Sequence, residues 1–184
     1  MNFSEDAFII THTGNMGLKQ DLGNLIHAVQ LCKNPKIQLF LVGDGSQRSE
    51  LEKVANQDSR IEFMDLVSEE RYSALLSASN ALIINEAPTV TDMSLPSKLT
   101  AYTSSGRPII GAVVQGGNTS LALNQLSQAR QVPAGNPQQL ADLIMTFVDG
   151  INDLNVQSHE SSAEIAQELR NQRILWVESL KGKL

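Results

Sequence analysis

The chain predicts an α/β protein built on a doubly wound parallel sheet, with one extra helix at its C-terminus. Three features of the 184-residue sequence carry this reading. Strand-like and helix-like hydrophobic periods alternate along most of its length, the pattern produced by parallel strands with helical crossovers. One run, Ala81-Leu82-Ile83-Ile84, is apolar at every position, as expected of a strand covered on both faces. Predicted strands give way to glycine or to polar loops that open helices, and right-handed crossovers then wind those helices onto both faces of the sheet.

The elements follow in order. Phe8-Ile9-Ile10-Thr11-His12-Thr13 reads as the first strand and stops at Gly14. Residues 19–32 place Leu22, Leu25, Ile26 and Val29 at helical spacing. Residues 37–42 form the second strand, closed by Gly43-Asp44-Gly45, and a helix through Leu51 and Val54 follows, with Ser46 as its cap. Residues 61–64 make a short third strand. Ser68 caps the next helix, whose buried face is Tyr72, Leu75 and Leu76. The fourth strand is 81–84. A helix over 96–105 comes next, because Pro96 suits a first turn, where its missing N–H costs nothing, and Gly106-Arg107-Pro108 ends it. Residues 109–114 form a fifth strand, 120–125 a helix and 130–132 a weak strand. Asn136-Pro137 opens a helix to Val148. Residues 151–159 are polar and read as a loop. Residues 160–180 read as a last helix, on which Ile165, Leu169, Ile174, Leu175 and Trp176 span too wide an arc to face one sheet. The expected organisation is a Rossmann-like sheet domain over 1–158 and a C-terminal helix over 159–184. That helix is expected to pack on the sheet domain or on an N-terminal domain, and its second apolar face to be either a partner surface, as in a homodimer, or part of a mobile terminus.

Composition excludes several classes. The formal charge of −6 is spread along the chain, unlike the basic face of a nucleic-acid binder. Cys32 is the single cysteine, so there is no disulfide framework and no cysteine metal site. The three histidines are scattered, and neither a metal nor a cofactor is expected. No segment is apolar enough to span a bilayer, and no secretory leader pattern opens the chain. The expected location is the cytoplasm, including the inner face of a membrane.

In such a sheet, ligands bind beyond the carboxyl ends of the strands. After the first strand come Gly14-Asn15-Met16-Gly17-Leu18-Lys19. Gly14 permits close backbone approach and Lys19 supplies a point charge for a phosphate; a tight turn with a solvent lysine fits equally. The Gly-x-Gly-x-x-Gly and P-loop patterns are absent, which disfavours a nicotinamide-binding domain. After the third strand, backbone at Leu66-Val67 is placed to read a planar base. After the fourth, Glu86 and Asp92 are candidate acceptors for sugar hydroxyls, or solvated loop carboxylates. Lys98 is an oddity: a cation in a first helical turn opposes the macrodipole. An anion between Lys98 and the helix N-terminus resolves it.

Four stretches then stand in series: "HTGNMGLKQDLGNLIHAV", "LFLVGDGSQRSELE", "IEFMDLVSEERYSALLSASNALII" and "LPSKLTAYTSSGRPIIGAV". Together they resemble the C-terminal, nucleotide-sugar-binding domain of GT-B glycosyltransferases of the family 4 type, most of all bacterial exopolysaccharide and colanic-acid-type transferases. The resemblance covers roughly residues 8–150. It implies a Rossmann-like donor domain of a retaining, metal-independent enzyme that transfers a glycosyl group from a nucleoside diphosphate to a hydroxyl in polysaccharide biosynthesis. By position, Gly14 and Gly17 match the glycines under the donor phosphates and Lys19 the diphosphate-binding loop lysine. Gly43 and Asp44 match the turn near the nucleoside, and Leu66 and Val67 the base-reading backbone. Ser97, Lys98 and Leu99 match the helix start that holds the diphosphate. Three positions depart from the family. Asn15 stands where many relatives carry arginine, and Met93 and Ala101 stand where many carry glutamates for the donor sugar and ribose. The acceptor half of a GT-B enzyme is expected as a separate N-terminal domain or subunit. Two rivals stand beside this reading: a non-catalytic nucleotide-sugar-binding or subunit-docking domain of a split transferase, and a sugar-nucleotide epimerase-like domain.

Overall fold

The computed structural model describes residues 7–90 and 97–157, with backbone alone over 151–157. The expected last helix, Asp92, Met93 and Pro96 lie outside the described residues.

Six parallel strands form one sheet in the order β3-β2-β1-β4-β5-β6: β1 Phe8–Thr13, β2 Ile37–Val42, β3 Ile61–Met64, β4 Ala81–Asn85, β5 Ile109–Val113 and β6 Ala129–Pro133. The helices are α1 Leu22–Leu31, α2 Arg48–Ala55, α3 Glu69–Ala78, α4 Lys98–Ser104, α5 Asn118–Asn124 and α6 Pro137–Gln157. Side chains alternate across each strand, so the two faces have separate cores. Ile10, Leu39, Leu41, Ile83 and Ile110 pack under α1, α2 and α6. Leu82, Ile84, Ile109 and Val113 pack under Leu76 of α3, Leu99 and Tyr102 of α4 and Leu123 of α5, and Ile9, Phe40 and Val42 pack with Leu75 of α3. Burial of each such aliphatic side chain contributes about 1.5–3 kcal/mol.

The doubly wound parallel sheet expected from the sequence is therefore present, and its strand order switches sides between β1 and β4: β2 and β3 are added on one side of β1, and β4, β5 and β6 on the other. That switch point opens a crevice at the carboxyl edge, and the end of β1 is built for it. Thr11, His12 and Thr13 are buried polar residues finishing an otherwise apolar strand.

Four local expectations are corrected. The segment after β1 is not one helix: a 3-10 turn, Leu18–Gln20, precedes Asp21 at φ 41°, and α1 starts only at Leu22. The Asn85 amide donates to the carbonyls of Gln20 (2.8 Å) and Asp21 (2.9 Å), fixing them in this turn. The cap of α2 falls on Gln47, not Ser46. Ser68 does cap α3 in position, but through its carbonyl, which accepts from Tyr72 N–H at 2.8 Å, with no side-chain bond. The loop expected over 151–159 is helical through Gln157. Gly150 is tolerated inside α6, and no proline interrupts 151–157.

Candidate functional site

A cleft of about 490 Å³ opens at the switch point, lined by Thr13, Gly14, Asn15, Gln20, Val42, Leu66, Val67, Tyr72, Ser97 and Lys98. Its walls are thus the ends of β1 and β2, the loop after β3, one turn of α3 and the start of α4.

The floor is two loops fastened edge to edge. Gly14 N–H donates to Val42 O (2.8 Å), Met16 N–H to Asp44 O (2.8 Å) and Gln47 N–H to Met16 O (2.9 Å). Contact this close requires glycine at Gly43: its φ is +140°, and a Cβ there would stand 2.0 Å from Gly14 O. Arg48 holds the second loop from outside, donating to Gly43 O (3.0 Å) and Asp65 Oδ1 (2.6 Å).

Lys98 reaches across the floor. Its Nζ lies 3.1 Å from His12 Nε2 and 3.7 Å from where a Cβ on Gly14 would sit. An ammonium only donates, so Nε2 accepts and the imidazole carries its proton on Nδ1, which donates to Ile83 O at 3.3 Å. Burial, reinforced by the Lys98 charge, holds His12 well below the ordinary histidine range, so it stays neutral. Burial pushes Lys98 itself down to about 8. Among the described residues no carboxylate pairs with Lys98. The lysine is thus a largely desolvated cation, with a neutral acceptor behind it and an open cleft in front.

Beside it, hydroxyls meet. Thr13 N–H donates to Tyr102 Oη at 2.9 Å, Thr13 Oγ1 lies 3.1 Å from the same oxygen, and Tyr72 Oη lies 3.3 Å from Thr13 Oγ1. Burial raises the Tyr102 phenol far above its usual value, so it remains protonated.

The structure brings Gly14, Asn15, Leu66, Val67, Ser97 and Lys98 of the expected set to this one cleft. Ser97 makes no side-chain cap, which leaves its hydroxyl at the cleft. The remaining expected residues lie outside the lining. Lys19 is exposed on the same loop, one residue before the lining Gln20. The Gly17 N–H donates to Gln20 Oε1 at 3.2 Å. Gly43 and Asp44 shape the floor from below; Asp44 Oδ1 accepts from Gly45 N–H at 2.7 Å. Leu99, the second residue of α4, is buried with Tyr102 in the core and does not line the cleft. Glu86 accepts from Thr119 Oγ1 and from Val114 N–H (3.2 Å), which ties one carboxylate oxygen to the start of α5 and the other to the end of β5. His12, Thr13, Gln20, Tyr72 and Tyr102 did not stand out as site residues in the sequence. The polar ending of β1 was the one signal available. The bonds join residues 59 to 89 positions apart, and no local pattern reports them.

A Rossmann-like domain with its cleft at this switch point is the unit from which GT-B glycosyltransferases are built. The chain belongs to the glycosyl transferases group 1 family, whose family model matches residues 7–150. It is 31% identical over 102 residues to a putative colanic acid biosynthesis glycosyl transferase, WcaI, of Escherichia coli (strain K12), covering 54% of this chain and 25% of that protein. It is 25% identical over 147 residues to a probable glycosyltransferase, WbjE, of Pseudomonas aeruginosa, covering 79% of this chain and 36% of the relative. The chain therefore spans well under half the length of these relatives. Among solved structures, HepE of Anabaena in complex with UDP superposes with a TM-score of 0.65 at 18% identity, covering 96% of this chain and 48% of that one. This last similarity concerns the fold. Among the described residues, no helix is long and apolar enough to cross a membrane, and no cluster of histidine, cysteine or acidic residues could hold a metal ion.

Proposed function

We propose that this chain is the donor-binding domain of a retaining glycosyltransferase. It binds a nucleoside-diphosphate sugar, whose glycosyl group passes to a hydroxyl acceptor in polysaccharide biosynthesis. The observation that carries the reading is Lys98: a buried cation, without a carboxylate partner among the described residues, aimed into a cleft at the switch point of a group 1 family domain. Negative charge grows on the leaving diphosphate as the anomeric bond breaks. A preorganised ammonium in a desolvated site stabilises that charge more than it stabilises the ground state, and it needs no metal to do so. Ser97 and the N–H groups at the start of α4 add donors, and Lys19 contributes from the loop beneath. The exposed side chain of Leu66 offers an apolar face for a base. With Ala101 and Met93 at the positions of the family's glutamates, the ribose and sugar are held by other groups. The acceptor site belongs to a second domain, on this polypeptide or another, and the enzyme works in the cytoplasm or at the inner face of a membrane.

A thermal-shift screen against UDP, GDP, ADP and their sugars tests the reading. A ligand at 100-fold its Kd should stabilise the chain by about 2.7 kcal/mol. No shift with any nucleoside diphosphate at millimolar concentration would overturn it.

A further inference from the structure

The hydroxyls of Thr13, Tyr72 and Tyr102 form a chain whose direction can be deduced. Tyr102 Oη accepts from the Thr13 backbone N–H at 2.9 Å, and that group can only donate. The Tyr102 side chain is fully buried, so its own O–H proton also needs an acceptor. Among the described residues the one oxygen in reach is Thr13 Oγ1, at 3.1 Å. Tyr102 therefore donates to Thr13. In the reverse orientation Tyr102 Oη would accept twice and leave a buried O–H unsatisfied, which carries that group's full desolvation cost. Thr13 is itself buried, so its hydroxyl proton also needs an acceptor, and among the described residues the oxygen left in reach is Tyr72 Oη at 3.3 Å. Tyr72 accepts, and its own O–H is left to point into the cleft that it lines.

The position of this donor matters as much as its direction. Tyr72 Oη touches Thr13, the residue immediately before Gly14, and the Lys98 ammonium lies against Gly14. The donor therefore stands beside the cationic end of the cleft. A group oriented to donate matches a phosphate oxygen, which only accepts, better than a ribose hydroxyl, which can bond either way.

We propose that Tyr72 is a ligand-binding residue that donates a hydrogen bond to a phosphate oxygen of the bound nucleotide, with Thr13 and Tyr102 as positioning residues that set its direction. This inference rests on the reading of the cleft as a nucleoside-diphosphate site. Tyr102 links the core to the cleft floor, so the buried end of α4 acts on the ligand through two hydroxyls.

Calorimetry with UDP, UMP and uridine on wild type, Tyr72→Phe, Thr13→Val and the double variant tests it, after thermal melting confirms that each is folded. Tyr72→Phe should weaken UDP and UMP about tenfold, as expected for a hydrogen bond to a charged group, and leave uridine unchanged. Thr13→Val keeps the backbone bond to Tyr102 and removes the relay. Its loss should not add to that of Tyr72→Phe, because both act through one bond. An equal loss for uridine would move the contact to the nucleoside and overturn the proposal. Additive losses would overturn the relay. Unchanged UDP binding in Tyr72→Phe, with binding lost in Lys98→Ala, would overturn the proposal while leaving the nucleotide reading intact. Absence of UDP, GDP and ADP binding by wild type would overturn both.

Discussion

Lys98 and His12 form a pair whose two members are perturbed in the same direction, and the consequence is a pH dependence with opposite signs for stability and for binding. Burial lowers Lys98 from an ordinary 10.5 to about 8. The unfolded chain therefore holds this proton more tightly than the folded one. Below about pH 8 both states are protonated and the whole penalty for burying the charge is present. Between about 8 and 10.5 the unfolded state binds more protons, so folding stability rises with pH across that window. A bound diphosphate favours the ammonium, so nucleotide affinity falls over the same window. Thermal melts and UDP titrations at about pH 7 and pH 10, compared between wild type and Lys98→Met, should show both trends in wild type only. Affinity that is flat with pH in wild type, or that falls equally in Lys98→Met, would show that this ammonium does not meet the ligand. Lys98 itself was legible in the sequence, because a cation in a first helical turn conflicts with the dipole. Its neutral partner was not. His12 lies 86 residues away and reads locally as one more position of a strand.

At the scale of elements, the loops after β1 and β2 act as one unit because Gly43 lets them touch. Gly43→Ala places a methyl group in the Gly14 carbonyl and forces alanine to φ +140°. Both faults are in backbone that cannot turn aside, and the expected loss is about 3 kcal/mol or more. Gly116→Ala is the control: its φ is +75° but a Cβ there meets nothing within 4 Å, so about 1–2 kcal/mol covers the left-handed backbone alone. Chemical denaturation of both variants measures the difference, and equal losses would show that the two loops are not tightly fastened. The order and type of the elements were readable from periodicity, and β4 stood out because both of its faces are apolar. Element ends were readable where a glycine takes positive φ, as at Gly106 after α4, with φ 67°. They were not readable where a distant side chain decides. Asn85 breaks the segment before α1, and α6 continues through 151–157 because polar composition alone does not stop a helix. The site followed the same division. The strand-end rule located the cleft and six of the expected residues in its lining, whereas the hydroxyl chain and the engagement of Glu86 by α5 depend on contacts between elements.

For the molecule as a whole, the proposed function makes this Rossmann-like unit one wall of a GT-B cleft. Charge stabilisation on the leaving diphosphate can be built into this unit, but positioning of an acceptor hydroxyl cannot, and proximity accounts for a large part of such a barrier. The chain over residues 1–184 should therefore bind donor and show no glycosyl transfer to added acceptors. Turnover well above spontaneous donor hydrolysis by the purified chain would contradict the division of labour between two domains.

The central claim is that the switch-point cleft is a diphosphate site in which Lys98 serves in place of a metal. The most direct measurement is calorimetric titration of the chain with the nucleoside diphosphate that stabilises it most, in excess EDTA, beside Lys98→Ala. The account predicts that wild-type affinity is unchanged by the chelator and that Lys98→Ala loses about 1.5–3 kcal/mol of binding free energy, the range for a charged hydrogen bond. Binding that disappears with EDTA, or that survives Lys98→Ala undiminished, would contradict it.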